Sequence, residues 1–196
     1  MAEHYTQKVL LAGDNTPTFG AGSGADFSPC RTYRYALWRH WDWQGHANCL
    51  MVVGLNPSTA DETKDDPTIR RCIGFAKAWG FGGLYMLNLF AFRATKPKDM
   101  VLADDSFGPG NLEAMSYYRT RVGLVVAAWG KLEPRYRVRV NWTTTIRQVS
   151  EAIAKPMYCL GRNQDGTPKH PLYVKGDKER ELFWEPTTNS GNAAGE

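Results

Sequence analysis

The sequence predicts an α/β fold, a three-layer sandwich with a mainly parallel four-stranded central sheet. Apolar runs of strand length occur four times, at residues 48–53, 84–89, 122–128 and 156–160. Segments with helical spacing separate them, at residues 67–79, 110–121 and 143–155. Continuous apolar runs are typical of buried parallel strands. Strands that alternate with helices form a sheet that helices cover on both faces.

Shorter sequence patterns predict one further strand and the residues that cap two of the helices. Residues 34–39 are compatible with a further strand ahead of the four core strands. The helix at residues 67–79 has one apolar face, and we expect Asp65 or Asp66 to cap it. We expect Asn111 to cap the second of the three helices.

The chain has 196 residues, which fits a single domain of ordinary size. We expect this domain to cover residues 30–185. Residues 1–29 include a stretch rich in Gly, Ser, Asp and Pro, and we expect them to form a flexible N-terminal arm. Residues 186–196 are small and polar, and we expect them to form a disordered tail.

The composition bears on the class of ligand. The formal net charge is +4 and the sequence pI is about 8.9. This excess suits nucleic-acid binding, and it equally suits a simple solubility charge. The 7 Trp residues favour either a heavy core or stacking on flat ligands such as bases. No two of the 4 Cys residues form a Cys-x-x-Cys pair, so we expect no metal site.

The distribution of apolar residues bears on location. No apolar run approaches the ~20 residues that a membrane-spanning helix needs. The opening residues are polar and lack the features of a secretory signal. We therefore expect a cytoplasmic protein that has no membrane partner.

Polar residues and glycines follow the predicted strands at the points where those strands end. In sheets of this kind, ligands bind at the carboxyl ends of the strands. The candidate ligand contacts after the first three core strands are Gly54, Leu55, Asn56, Pro57, Ser58, Asn88, Phe90, Arg93 and Trp129. His170 follows the fourth strand and can stabilise negative charge or transfer a proton.

Two asparagines stand out among these candidates. Asn56 can orient a water molecule or a ligand edge, because its amide offers both a donor and an acceptor. Asn88 can pair in a bidentate way with the edge of a nucleobase. Taken alone, each of these residues is more typical of a turn or a cap. Their occurrence at successive strand ends is what favours a functional site.

A dense cluster of charged residues follows the first of these loops. It consists of Asp61, Asp65, Asp66, Arg70 and Arg71. One interpretation is a capped, solvated start of a helix. The other is a second set of ligand contacts, in which Arg70 or Arg71 binds a phosphate.

The order of these motifs resembles that of the uracil-DNA glycosylase superfamily. The segment Gly54-Leu55-Asn56-Pro57 is similar to its first motif, and closest to the Gly-x-Asn-Pro loop of its mismatch-specific branch. A strand that ends in Asn88, a strand that ends in Trp129-Gly130, and the pair His170-Pro171 follow in the same order as its later motifs.

A longer signature is similar to an uncharacterised family found in bacteria and phages, catalogued as domain of unknown function 1643. This similarity covers about residues 30–175. The signature consists of residues 56–61, 65–71, 88–90 and 170–173.

The resemblance to the superfamily implies a uracil-DNA-glycosylase-like fold and an enzyme that excises or modifies a flipped-out base. Asn56 would position the attacking water, Asn88 would read the base edge, and His170 would stabilise negative charge on the departing base. Such a reaction needs no metal and no cofactor. The implied partner is DNA or a free nucleotide.

Departures from the glycosylase motifs favour an alternative, a non-catalytic module of the same fold that binds DNA or a nucleotide. Leu172-Tyr173 stands where glycosylases have small polar residues that contact the DNA backbone. No carboxylate replaces Asn56 to activate a water. A third possibility is a small-molecule enzyme that shares only the fold.

Overall fold

Seven β-strands form one mixed sheet in the computed structural model, which describes residues 22–186. The strands are β1 (Gly22–Phe27), β2 (Arg34–His40), β3 (Cys49–Gly54), β4 (Gly83–Asn88), β5 (Leu124–Ala127), β6 (Met157–Cys159) and β7 (Glu181–Trp184). Their order across the sheet is β1-β2-β4-β3-β5-β6-β7. The pairs β3–β4, β3–β5 and β5–β6 are parallel. The pairs β1–β2, β2–β4 and β6–β7 are antiparallel.

The prediction of an α/β fold is confirmed, but the prediction of a four-stranded, mainly parallel sheet is wrong. The four predicted strands form the parallel centre, as β3, β4, β5 and β6, and three antiparallel strands extend it. The outer strands β1 and β7 are partly exposed. Strands of this kind lack the continuous apolar run that identifies a central parallel strand, and the glycines of β1 favour a loop.

Within the described residues, five α-helices connect the strands. They are α1 (Pro67–Ala78), α2 (Pro97–Leu102), α3 (Asn111–Tyr118), α4 (Pro134–Arg137) and α5 (Trp142–Ile153). The Asp66 carboxylate caps α1 by accepting from the backbone N–H of Ile69 at 2.9 Å. The expectation that Asn111 is a cap is wrong, because Gly110 occupies the cap position and Asn111 is the first helical residue of α3.

Helices pack against both faces of the sheet, and each face buries its own apolar core. On one face, Ile69 of α1 shares a core with Met86 of β4. On the other face, α2, α3 and α5 contribute Met100, Met115 and Val149 to a second core. The sheet is therefore held between two helical layers, and the carboxyl ends of β3, β4 and β5 meet at one edge.

A β-bulge in β2 redirects the first residue of that strand. Asp26 of β1 faces Ala36, whereas the next residue of β1 faces Arg34, so Tyr35 is the extra residue. Tyr35 packs into the core on the α3 side of the sheet. Arg34 is thereby directed to the α1 side, where its guanidinium donates to the carbonyl oxygen of Ala60.

Residues 1–21 and 187–196 lie outside the described part of the chain. Most of the predicted N-terminal arm falls there, whereas residues 22–27 form β1. Of the predicted tail, only residue 186 is described. Between residues 22 and 186, no helix has the length and apolar character that crossing a membrane requires.

Candidate functional site

A cavity of about 340 Å³ lies at the edge of the sheet where β3, β4 and β5 end. Its walls come from the loops after these strands, the first turn of α1 and the 3-10 turn at residues 171–173. The chain passes from β3 to β4 on one side of β3 and then crosses to β5 on the other side. In α/β sheets, ligands bind beside such a reversal of direction. The volume lies at the small end of the usual range for ligand pockets, about 300–1,000 Å³.

Two strand-end residues that lie in register, Gly54 of β3 and Asn88 of β4, form part of the cavity wall. A Cβ atom at position 54 would lie 2.8 Å from Asn88 Oδ1 and 2.6 Å from the methyl carbon of Met86. No side chain fits at position 54 beside the Asn88 amide. The Gly-Leu-Asn-Pro motif therefore needs its glycine for space beside Asn88.

The Asn88 amide has unused hydrogen-bonding capacity. The residue is 1% exposed, and neither amide atom has a partner among the described residues. A buried polar group without a partner costs about 1–3 kcal/mol. Native proteins keep few such groups, and each one calls for an explanation such as an ordered water or a ligand. Asn88 thus has a donor and an acceptor to offer to a molecule in the cavity.

Asn56 lies in the loop after β3 and lines the cavity. Its Nδ2 donates to the carbonyl oxygens of Pro57, at 3.0 Å, and Ala94, at 2.7 Å. Both amide hydrogens are therefore bound by the main chain, and this fixes the orientation of the side chain. No described residue donates to Oδ1, which remains an acceptor for a ligand or a water molecule.

His170 lines the cavity at the start of the 3-10 turn. The backbone N–H of Leu172 donates to its Nδ1 at 3.3 Å, so the proton of the neutral ring lies on Nε2. Burial lowers the pKa of His170, and the charge of Asp66 opposes this effect. The neutral ring is therefore favoured, and its Nε2–H is available as a donor.

Two sets of contacts hold the His170 segment against the site. Gly130 has a φ of +71°, and a Cβ atom there would lie 3.0 Å from the Cβ of His170. Both the backbone conformation and the close approach require glycine. Arg71 of α1 donates from Nε to the carbonyl oxygen of Pro171, at 3.4 Å, and from Nη2 to that of Val174. Arg71, considered above as a phosphate contact, therefore binds main-chain carbonyls.

Arg34 contributes a buried positive charge to the cavity wall. It is 2% exposed, its Nη1 donates to the Ala60 carbonyl at 2.9 Å, and its Nε has no described partner. No described carboxylate forms an ion pair with it. Burial lowers the pKa of its guanidinium to about 10, and Asp66 opposes this effect. A buried guanidinium with unused donors suits an acceptor or an anion on a ligand.

The remaining wall carries groups of both charges. Asp66 and Thr68 come from the start of α1, and Lys131 comes from the loop after β5. Asp66 uses Oδ1 to cap α1, so its Oδ2 is left for other contacts. Tyr173 is 83% exposed, and its ring lies 5.7 Å from that of His170. A large exposed ring beside a cavity suits stacking on a flat ligand.

An open hollow adjoins the cavity. Its lining residues are Arg31, Thr32, Ser58, Thr59, Arg93, Ala94 and Thr95. Ser58, Ala94 and Thr95 line the cavity as well. The cavity and the hollow are therefore neighbours that share these three residues as part of their walls.

The polar groups of the cavity suit an organic ligand. They are amides, hydroxyls, an imidazole, an indole, a guanidinium, an amine and one carboxylate. Such groups pair with the oxygen and nitrogen atoms of an organic molecule. In the part of the chain that is described, no group of three or more His, Cys, Asp and Glu side chains is placed to hold a metal ion.

A family model described as protein of unknown function (DUF1643) matches residues 34–172, well over half of the chain. The chain belongs to this family. No curated protein and no solved structure matches it. The segment that matches the DUF1643 family begins at Arg34 and ends at Leu172. It therefore contains every residue of the cavity wall except Tyr173.

Within this family segment, most of the site residues expected from the sequence lie together. Those that line the cavity are Gly54, Leu55, Asn56, Ser58, Asp66, Asn88, Trp129 and His170. Arg93 lines the adjoining hollow. The remaining four, Pro57, Asp61, Arg70 and Phe90, line neither.

These four residues have contacts elsewhere. Pro57 is buried under the loop, and its carbonyl accepts from Ala94 and Asn56. The Asp61 carboxylate closes a turn by accepting from the backbone N–H groups of Thr63 and Lys64, and these bonds lower its pKa. Arg70 is exposed and donates to the Asp65 carbonyl. Phe90 packs in the core against Trp142.

The sequence does not predict Arg34, Thr68, Thr95 or Lys131 as site residues, although all four line the cavity. Arg34 begins β2, which runs antiparallel to β4. The amino end of β2 therefore lies at the same edge as the carboxyl end of β4. Arg34 is therefore not at the carboxyl end of a parallel strand, where the sequence pattern places ligand contacts. The available signal is the charged residue that precedes the apolar run at residues 35–38 of β2.

Proposed function

We propose that this protein acts on a nucleobase, as a DNA-glycosylase-like enzyme that excises or modifies a flipped-out base. The observation that carries this proposal is the Asn88 amide, which is buried in the cavity wall with its donor and its acceptor unused. A base edge presents an acceptor and a donor side by side, which is the complement of an amide. A flipped base is read by such hydrogen bonds in a closely fitting pocket.

The other polar groups of the cavity fit a base-excision reaction. In that reaction the bond between the sugar carbon and the base nitrogen breaks, the base leaves with the electron pair, and water adds to the carbon. Asn56 Oδ1 would accept from the attacking water, and the Asp66 carboxylate would take its proton. His170 Nε2–H would donate to the departing base and lower the cost of its negative charge.

The order of the sequence motifs also supports the proposal. The Gly54 loop, Asn88, Trp129-Gly130 and His170 follow one another in an order that resembles that of the uracil-DNA glycosylase superfamily. Asn56 is not a carboxylate, as noted above. Asp66 lines the same cavity and would supply that missing group from the start of α1.

A second candidate function is a non-catalytic module that binds DNA or a nucleotide. Tyr173 favours it, because this large exposed ring stands beside His170 where glycosylases have a small polar residue. The ring would stack on a base or a sugar and keep the DNA backbone from a close approach. In this form, Asn88 holds the base without any turnover.

Incubation with oligonucleotides that carry uracil, a mismatched base or a modified base tests the two functions. The wild type is expected to leave an abasic site or an altered base, detected by alkaline cleavage and mass spectrometry. Asn56→Ala is expected to lose turnover by about 100-fold or more and to keep most of its binding. Asn88→Ala is expected to lose both.

Asn48→Ala is the matched control. Asn48 also donates from its amide to a main-chain carbonyl, that of Asp42 at 3.0 Å, but it lies at the opposite end of β3. Binding that yields no product, and that Asn56→Ala leaves unchanged, would favour the non-catalytic module. The absence of both product and binding would sink both functions.

A further inference from the structure

We propose that the hollow beside the cavity binds a phosphate group of the nucleotide whose base occupies the cavity, with Arg93 as the principal contact. The inference rests on the proposed function, because it takes the cavity as the base site. It adds a substrate class, a phosphate-bearing nucleotide that is either free or within a strand. A free base or a nucleoside lacks the group that the hollow would bind.

Arg93 carries a positive charge that no described carboxylate neutralises. Its Nη1 donates to the carbonyl oxygen of Arg31 at 3.1 Å. Its Nε is buried without a partner among the described residues. A guanidinium has five N–H donors in a planar fork, so the Nη2 side of Arg93 is left for a ligand.

A second guanidinium lies close to Arg93. Both groups lie over the ring of Phe27, with the Arg31 carbon 3.9 Å and the Arg93 carbon 4.8 Å from its centroid. Glu62 neutralises Arg31 through a bidentate pair at 2.6 and 2.9 Å. Arg93 is therefore the cation that still lacks a counter-charge, and a bound anion would also relieve its repulsion from Arg31.

The other polar groups of the hollow are of the kind that binds phosphate. Thr32, Ser58, Thr59 and Thr95 carry hydroxyls, and no described carboxylate lines the hollow. Phosphate oxygens accept several hydrogen bonds at once, from Arg and from Ser or Thr in particular. An arginine among four hydroxyls fits this chemistry.

The hollow is placed where the phosphate of a bound nucleotide would extend. Ser58 and Thr95 line both spaces, so the hollow lies directly beside the cavity. Arg34 lies on the cavity side of this boundary. Burial is the main cause of its lowered pKa, Asp66 opposes it, and the nearby charge of Arg93 lowers it further. Two guanidiniums without counter-charges thus flank one boundary.

The test compares Arg93→Gln with Arg135→Gln. Each substitution removes one positive charge, but Arg135 belongs to an exposed pair with Glu133 and lines neither space. Binding is measured by calorimetry for inorganic phosphate, for deoxynucleoside monophosphates and for a short single-stranded oligonucleotide that contains uracil. The strand is measured at several salt concentrations, and a thermal melt verifies that each variant is folded.

We expect Arg93→Gln to weaken the binding of all three probes about tenfold, the loss expected for one charged hydrogen bond. The slope of log affinity against log salt for the strand is expected to fall by about 0.7, which corresponds to one phosphate contact on a single strand. Arg135→Gln is expected to bind like the wild type. Arg93→Lys, which keeps the charge and loses the planar fork, is expected to recover part of the affinity.

Equal phosphate and strand binding by the two glutamine variants would overturn the phosphate site. A second result would also overturn the phosphate site: the wild type acts on a base or binds a nucleoside, and a phosphate group on the nucleoside does not increase its affinity. The proposed function would then still stand. Phosphate binding that depends on Arg93, with no action on a base and no base-dependent binding, would support the site and contradict the proposed function. Mononucleotides that bind as tightly as the strand would identify a free nucleotide as the source of the phosphate.

Discussion

Asn111, the first residue of α3, donates from Nδ2 to the carbonyl oxygens of both Asn88, at 3.2 Å, and Leu89, at 3.0 Å. This side chain thereby ties α3 to the point where β4 ends. The Asn88 side chain lies beside Gly54, where an added Cβ atom would come within 2.8 Å of its Oδ1. The candidate base-reading residue is therefore tied through its main chain to α3, and its side chain lies beside β3.

Asn111→Ala is expected to lower the free energy of unfolding by about 2–3 kcal/mol, because it leaves two buried carbonyls without this donor. Urea denaturation measures the loss. Asn48→Ala, which removes an amide near the surface, is expected to cost less than about 1 kcal/mol. Equal losses of unfolding free energy in the two variants would contradict the stabilising role of the hydrogen bonds from Asn111 to the two buried carbonyls.

Asn88→Leu is expected to raise the free energy of unfolding of the ligand-free protein by about 1 kcal/mol. An amide that lacks partners is replaced by an apolar side chain of similar shape, so the cost of burying it disappears. The same variant is expected to lose base binding entirely. Urea denaturation and calorimetry measure the two effects. If Asn88→Leu instead lowered the free energy of unfolding by about 2 kcal/mol or more, the Asn88 amide would have a hydrogen-bond partner in the ligand-free protein. The substitution would then leave that partner unpaired, which costs about 1–3 kcal/mol.

Gly130→Ala is expected to lower both stability and activity. At a φ of +71°, a Cβ atom costs about 1–2 kcal/mol, and here it also meets the Cβ of His170 at 3.0 Å. Gly166→Ala is the matched control, because Gly166 has a φ of +79° and no heavy atom within 4 Å of the added Cβ. Both variants should lose stability in a thermal melt through the strained backbone, and Gly130→Ala should lose more because of its contact with His170. Only Gly130→Ala should shift the ring signals of His170 in an NMR spectrum, and unchanged signals would refute the contact.

The pH dependence of stability is expected to reflect two opposed titrations. Burial raises the pKa of Asp26 from 3.8 to about 6, with a hydrogen bond from Tyr118 opposing the shift. Burial, with a smaller effect of His46, lowers the pKa of His40 from 6.5 to about 4. As pH falls from 6.5 to 4, the unfolded chain protonates His40 first and stability is lost. As pH falls from 6 to 3.8, the folded chain protonates Asp26 first and stability is gained.

The two contributions partly cancel in the wild type, so its free energy of unfolding should change little between about pH 4 and 6. Asp26→Asn removes the stability gained when Asp26 is protonated, so the free energy of unfolding of this variant should fall steadily as the pH is lowered. His40→Gln removes the stability lost when His40 of the unfolded chain is protonated, so the free energy of unfolding of this variant should rise as the pH is lowered over the same range. Urea denaturation at a series of pH values checks this, and parallel profiles for all three proteins would disprove it.

The parallel centre of the fold is predictable from sequence because burial on both faces leaves a mark in the chain. Each of β3, β4, β5 and β6 is a largely apolar run, and the polar residues at the carboxyl ends of β3 and β4 identify Asn56 and Asn88. Of the antiparallel extensions, β2 is expected as a strand at residues 34–39, whereas the partly exposed β1 and β7 leave no such mark. The bulge at Tyr35 depends on how β1 pairs with β2, and pairing is a property of two distant segments.

The roles of individual polar residues were harder to predict for a related reason. Asn111 is a residue type that often caps helices. Its amide nevertheless donates to the carbonyl oxygens of Asn88 and Leu89, which lie 23 and 22 residues earlier in the chain. Arg71 looks like a phosphate ligand in sequence, yet it binds the carbonyls of Pro171 and Val174. In each case a helix supplies a long side chain to a distant main-chain group. Local sequence rules describe only neighbours along the chain.

The cavity wall draws on residues from Arg34, at the start of β2, to Tyr173, close to the end of the described chain. During synthesis on the ribosome, the wall is incomplete until Tyr173 has emerged, so a growing chain has no finished site to occupy. A ligand can therefore stabilise only the finished domain. Proteolysis in the presence of ligand should be slowed across all the strands together, and no single segment should gain protection by itself.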